Sequence, residues 1–145
     1  MKLSRASAVL FCADLDRTLL PNGPAPESPV ARREEFVPVY VSGRDGALIR
    51  QAIAGYALPP PRFAVGDVGA TIYRIEGGEW SPRQDWIERL EADWQGASRD
   101  DLAGALGRFD GMRMQEPEKL GRFKLSYYVE PSIGLDGLAA AVRER

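Results

Sequence analysis

A short apolar run, Ala8-Val9-Leu10-Phe11-Cys12-Ala13, breaks off into Asp14-Leu15-Asp16, and this change most constrains what the chain can fold into. A bounded, uncharged run of this length reads as a strand buried on both faces, the kind found in parallel sheets. Carboxylates are costly to bury unless something pairs with them, so Asp14 and Asp16 mark the end of that strand. Side chains at i and i+2 of an extended segment share one side. Both carboxylates are therefore expected to converge on one point, with a divalent cation, a phosphate or a proton-transfer partner as candidate occupants.

The pattern then recurs. Pro21 to Pro29 is too rich in proline for a helix or a central strand, and Ser28-Pro29 is expected to open a short helix through Val30 to Glu35. Phe36 to Val41 is a second strand-like run, in which Pro38 argues against a central strand unless it lies near the start. It leads straight into Ser42-Gly43-Arg44-Asp45-Gly46. Ala47, Leu48, Ala52, Ile53, Tyr56 and Ala57 follow at helical spacing, and Gly55 with Pro59-Pro60-Pro61 ends that helix. Strand, loop, helix and strand again predict an α/β fold with a parallel sheet. Ligands in such sheets bind beyond the carboxyl ends of the strands, where Asp14 and Ser42 both fall.

Composition removes several alternatives. The 145 residues are 44% hydrophobic, enough for a core, and 19 basic against 21 acidic residues give a net charge of −2. With the basic residues scattered, neither nucleic acid nor an anionic membrane is an expected partner. There is no histidine, which excludes Ser-His and Cys-His nucleophile pairs and leaves acid-base work to carboxylates. Cys12 is the single cysteine and is expected as a small hydrophobe in the buried first strand. The apolar part of the N-terminus is too short for a membrane span, so a soluble cytoplasmic protein is expected.

Beyond Gly78 the grammar shifts toward α+β. Phe63 to Ile75 reads as a short strand, a Gly-rich turn around Asp67 and a longer strand from Ala70, closed by Gly77-Gly78. Ser81-Pro82-Arg83-Gln84 has the form of a capping box, with Trp86, Ile87, Leu90 and Trp94 as the buried face of its helix. Ser98 to Asp101 repeats the capping logic. Phe123, Leu125, Tyr127 and Val129 alternate with Lys124, Ser126, Tyr128 and Glu130, as in an antiparallel strand with one wet face. Leu135 to Val142 begins a last helix. The expected division is 1-78 for the first domain and 79-145 for the second.

Asp14-x-Asp16-x-Thr18 behind one strand and Ser42-Gly43-Arg44 behind the next resemble the phosphatases of the haloacid dehalogenase superfamily. "DLDRTLL", "YVSGRD", "AVGDVGATIY" and "FKLSYYVEP" together are similar to the capped sugar-phosphatase branch, closest to sucrose-phosphate phosphatase. The resemblance implies part of a parallel Rossmann-like core, with the start of an inserted α+β cap after residue 78. It implies Mg²⁺-dependent hydrolysis of a sugar phosphate, sucrose 6-phosphate being favoured. Asp14 would be nucleophile and metal ligand, and Asp16 general acid and metal ligand through its backbone carbonyl. Thr18, Ser42, Gly43 and Arg44 would form the phosphate-binding loops, and Gln115, Lys124 and Ser126 would face the sugar.

The branch also carries a phosphoryl-steadying lysine and a late acidic pair, which nothing here matches. Asp67 is expected as a turn residue instead. The chain is therefore expected to be the N-terminal part of a longer enzyme, with an exposed sheet edge open to self-association. A non-catalytic sugar-phosphate or protein-binding domain, another sugar phosphatase and a phosphomutase are the competing expectations.

Overall fold

The computed structural model describes residues 9–20, 36–107, 109–133 and 139–140. The proline-rich loop, the helix expected after Pro29 and most of the helix expected from Leu135 lie outside the described residues. The chain divides into two compact units, one up to Ile87 and one from Glu88 onward. The expected boundary after Gly78 falls in the first unit, where Gly77 and Gly78, both at positive φ, turn one strand into the next.

In the first unit, β1 (Val9–Asp14), β2 (Phe36–Val41), β3 (Phe63–Gly66), β4 (Thr71–Glu76) and β5 (Glu79–Pro82) form one sheet in that order. β1, β2 and β3 run parallel, with Val9 opposite Phe36 and Val39 opposite Phe63. Antiparallel pairing begins at β4, before Gly78, because the turn after β3 is too short for a crossover. Helix α1 (Gly46–Gly55) makes the β2–β3 crossover, and its start is fixed by Asp45, whose Oδ1 accepts from Leu48 N at 2.8 Å.

The core lies between α1 and one face of the sheet. Leu15, Leu20, Tyr40, Ile49, Ala52, Ala64 and Ile75 form it. Tyr40 is anchored there, its hydroxyl donating to Pro59 O at 2.9 Å. Pro38 does sit inside a central strand. Its carbonyl accepts from Arg62 N at 3.0 Å, so it faces the β3 side before β3 begins, and its missing N–H removes no ladder bond.

Two expectations for β1 and β5 are corrected. Among the described residues β1 is an edge strand of this sheet, with Val9 52% and Leu10 60% exposed, and Cys12 is exposed as well. Apolar composition alone does not tell a strand that is covered from one whose neighbour is elsewhere. Ser81 and Pro82 end β5 rather than open a helix, and α2 runs Gln84–Trp94. An edge strand tolerates proline, so the strand ladder wins over the capping signature. The four residues expected to be buried on α2 are each half-buried.

The second unit contains α3 (Arg99–Leu106), held by a reciprocal capping box between Ser98 and Asp101. β6 (Met112–Met114) pairs antiparallel with β7 (Tyr127–Val129). The long wet-faced strand expected around Lys124 and Ser126 is therefore only three residues long. Gly121 N donates to Lys124 O at 3.0 Å, so this stretch closes its own turn instead of joining the ladder. Trp94 packs edge-on against Phe123 at 5.4 Å between ring centres, as core rather than platform.

Candidate active site

The site is built where β1 and β2 end side by side. Asp14 is the last residue of β1, opposite Val41, and Leu15 N donates to Val41 O at 3.1 Å. Leu15 is fully buried, which pins the backbone between the two aspartates. The chain then folds back tightly, with the N–H groups of Leu19 and Leu20 donating to Leu15 O at 3.2 and 2.8 Å and Arg17 at φ 63°. Asp16 thus lies in a turn, not in the extended strand, and the i, i+2 argument applies to it only in part.

The two carboxylates take different partners. Thr18 Oγ1 donates to Asp14 Oδ2 at a long 3.4 Å, so the Asp14 carboxylate is exposed and lightly held. Asp16 is gripped. Ser42 Oγ donates to its Oδ2 at 2.9 Å, and Arg44 donates through Nε at 3.0 Å and Nη2 at 2.7 Å to its Oδ1. The forked charge-assisted contact is the strong kind. Hydrogen bonding from Arg44 holds the Asp16 carboxyl below its usual range, helped by Ser42 and the charge of Arg17, while desolvation opposes it.

Ser42, only 3% exposed, also accepts from Arg44 N at 3.1 Å, so one hydroxyl joins the strand end, the loop and the acid. In this arrangement the Ser42 hydroxyl and the Arg44 guanidinium are turned onto Asp16. Gly43 sits exposed between them. Gly66, at the end of β3, is required by close approach: a Cβ there would lie 2.9 Å from Arg44 O.

Asp67 behaves as the turn residue expected. Its N–H donates to Arg44 O at 2.8 Å and its Oδ2 accepts from Thr71 Oγ1 at 3.1 Å. Asp67, Val68 and Gly69 all have positive φ, and Val68 is 76% exposed. For a β-branched residue this is strain. Sequence reasoning missed Asp45, the cap that sets α1 behind the Ser42–Arg44 loop, and Arg17. An Asp directly before a helical run was the available signal for the first.

Gln115, Lys124 and Ser126 all belong to the second unit and are half-buried. Gln115 N donates to Ser126 O at 2.9 Å, and Ser126 Oγ donates to Lys119 O at 3.3 Å, so two of the three are tied into the β6–β7 scaffold.

Among the described residues no three His, Cys, Asp or Glu side chains gather as a metal cluster. Two carboxylates and nearby backbone oxygens are nonetheless the hard-donor set that suits Mg²⁺, which is commonly held by one or two carboxylates plus substrate phosphate. Among the described residues no helix is long and apolar enough to cross a membrane.

A sheet whose first three strands run parallel, with Asp14 at one strand end and Asp16 held by the Ser-Gly-Arg loop at the next, fits the haloacid dehalogenase-like hydrolases, and comparison with known proteins places the chain among them. It matches the sucrose-6F-phosphate phosphohydrolase family over residues 7–143 and belongs to that family. It is 46% identical to a protein of Nitrosococcus oceani named as a HAD-like hydrolase, over 94% of this chain and 39% of the relative. It is 30% identical to the glucosylglycerol-phosphate synthase of Pseudomonas anguilliseptica, over 85% of this chain and 16% of that protein. In fold it resembles the sucrose-phosphatase of Synechocystis sp., solved with sucrose and phosphate, at TM-score 0.71 and 24% identity over 94% of this chain and 55% of that one. A haloacid dehalogenase-like hydrolase of Bacillus subtilis is similar at TM-score 0.53 and 14% identity, over 94% of this chain and 65% of that one. The chain thus spans well under two thirds of the length of the curated relatives it matches.

Proposed function

We propose that this chain carries the nucleophile half of a Mg²⁺-dependent sugar-phosphate phosphatase, with sucrose 6-phosphate as the favoured substrate. The observation that carries the reading is the contrast at the end of β1. Asp14 is exposed and lightly held, whereas Asp16, two residues on, is fixed by Ser42 and Arg44.

In this reading substrate draws Arg44 and Ser42 off Asp16, whose carboxyl then takes up a proton; an Asp14 oxygen attacks phosphorus in line, the sugar oxygen leaves with that proton, and an aspartyl-phosphate forms. Asp16 then removes a proton from water, which attacks the aspartyl-phosphate and frees inorganic phosphate. Arg44 and Ser42 hold Asp16 until substrate arrives, and the backbone of residues 42–45, at the start of α1, faces the phosphoryl oxygens. Mg²⁺, held by the Asp14 carboxylate and the Asp16 backbone carbonyl, would offset the repulsion between the nucleophile and the phosphate. The unit from Glu88 onward is read as the start of an α+β cap, with Gln115, Lys124 and Ser126 toward the sugar, and the protein as cytoplasmic.

The test is phosphate release from sucrose 6-phosphate and a panel of sugar and glycosylglycerol phosphates, by the protein at its natural length with Mg²⁺. Release that Asp14→Asn abolishes supports the reading. Activity that survives Asp14→Asn, or no release from any member, sinks it. Interconversion of sugar phosphate isomers without release would identify a phosphomutase instead.

A further inference from the structure

A second cluster of charge lies on the first unit, among residues the site above does not use. A cavity of about 420 Å³ is lined by Arg62, Arg74, Ser81, Arg83, Gln84 and Asp85, with Phe63 and Pro82 among them. Phe63 lies opposite Arg74, and Arg74 opposite Ser81, so the three form one row across β3, β4 and β5. Alternation puts this row on the sheet face away from α1, because Ala64 and Ile75, its neighbours in sequence, belong to the α1-side core. Arg62 and Arg83 flank the row from just before β3 and just after β5.

Three arginines thus line the cleft from three segments, with Asp85 the one acid in the lining. Arg74 pairs with Glu76 at 2.5 Å and Arg83 with Asp85, both pairs exposed and between near neighbours in sequence. Arg62 makes no side-chain ion pair or hydrogen bond among the described residues. The Arg74–Glu76 pair is a single exposed contact and weak, so Arg74 is free to re-partner at little cost, whereas Asp85 holds Arg83 in a fork at the rim. The guanidinium fork is matched to phosphate, and a Ser hydroxyl and a Gln amide supply neutral donors beside it.

We propose that this cleft binds a small ligand bearing a phosphoryl dianion, at a place separate from Asp14. The proposal does not depend on the reading of Asp14, since no residue of the cleft belongs to that site. The ligand is either free inorganic phosphate or an organic phosphate, which share the recognised group.

The experiment is isothermal titration of the 145-residue chain with inorganic phosphate, pyrophosphate and glucose 6-phosphate, in EDTA at low salt. The expected result is saturable binding that the Arg62→Ser/Arg74→Ser double variant weakens about tenfold or more, as loss of two charge-assisted contacts requires. Arg99→Ser, a residue of neither site, should leave it within about twofold. Raising the salt to ~0.5 M should weaken it by a similar factor, because the cleft is exposed. Equal affinity for inorganic and organic forms would name the free anion as ligand, and tighter binding of glucose 6-phosphate an organic one. Arg62→Lys, which keeps the charge and loses the fork, should fall between and guards against a folding artefact. No binding at millimolar concentration, or binding lost in Arg44→Ser and kept in the double variant, overturns the proposal.

Discussion

Replacing Tyr40 with phenylalanine should trade one stabilising effect against another, with a balance that depends on pH. Tyr40 is 1% exposed, and burial pushes its phenol up to about 12 from 10.0. The folded pKa is raised, so the neutral phenol's contribution is fully present below pH 10 and is lost as pH rises through 12. Linkage gives a loss of about 1.4 kcal/mol at pH 11 and about 2.3 kcal/mol at pH 12, on the way to about 2.7 kcal/mol for the full shift. A phenylalanine ring cannot ionise, so the variant escapes this loss, but it also lacks the bond to Pro59 O, worth about 1 kcal/mol at neutral pH. Urea unfolding followed by circular dichroism should therefore find wild type the more stable by about 1 kcal/mol at pH 8. The curves should cross between roughly pH 10 and 11, and the variant should be the more stable at pH 12. Parallel curves across this range would refute the reasoning, since every other titrating group is common to both proteins.

Two further outcomes follow from packing and from the sheet edges. Ile49 is completely buried between α1 and the sheet, so Ile49→Ala should lower stability by about 2–5 kcal/mol, read as a lower urea midpoint at unchanged slope. If β1's open edge mediates self-association, sedimentation velocity should detect concentration-dependent dimers that Leu10→Lys removes, and equal behaviour of the two proteins would dismiss the edge. The contrast with the opposite edge motivates this, since β5 carries Glu79 and ends in Pro82 whereas Val9 to Ala13 bear no charge.

Legibility from sequence followed the range of the physics involved. Strand ends, the α1 helix and the Ser98 capping box were readable because each is set by contacts within a few residues. So was the placing of Asp14 and Ser42 at neighbouring strand ends, since a polar break after an apolar run is a local signal, whereas Asp16 and Arg44 joined them through the family resemblance. Their partners were not. That Ser42 and Arg44 turn onto Asp16 depends on the β1–β2 register, which no local pattern specifies. β1's exposure was misread because apolar composition is the same whether or not a neighbouring strand is present. Ser81-Pro82 was misread because a capping signature and an edge-strand terminus share their residues, and pairing with Tyr73 and Arg74 decided between them. The alternation through Lys124 failed because a period of two is necessary for a ladder but supplies no partner strand.

The grip of Ser42 and Arg44 on Asp16 spans 26 and 28 positions of chain. No fragment ending before β2 can assemble it, and no local fluctuation of the β1 turn can rebuild it once the parallel pairing has opened. Order at the acid is thereby a readout of whether β1 and β2 have paired. During folding, the site comes into being in the same slow, long-range event as the sheet itself.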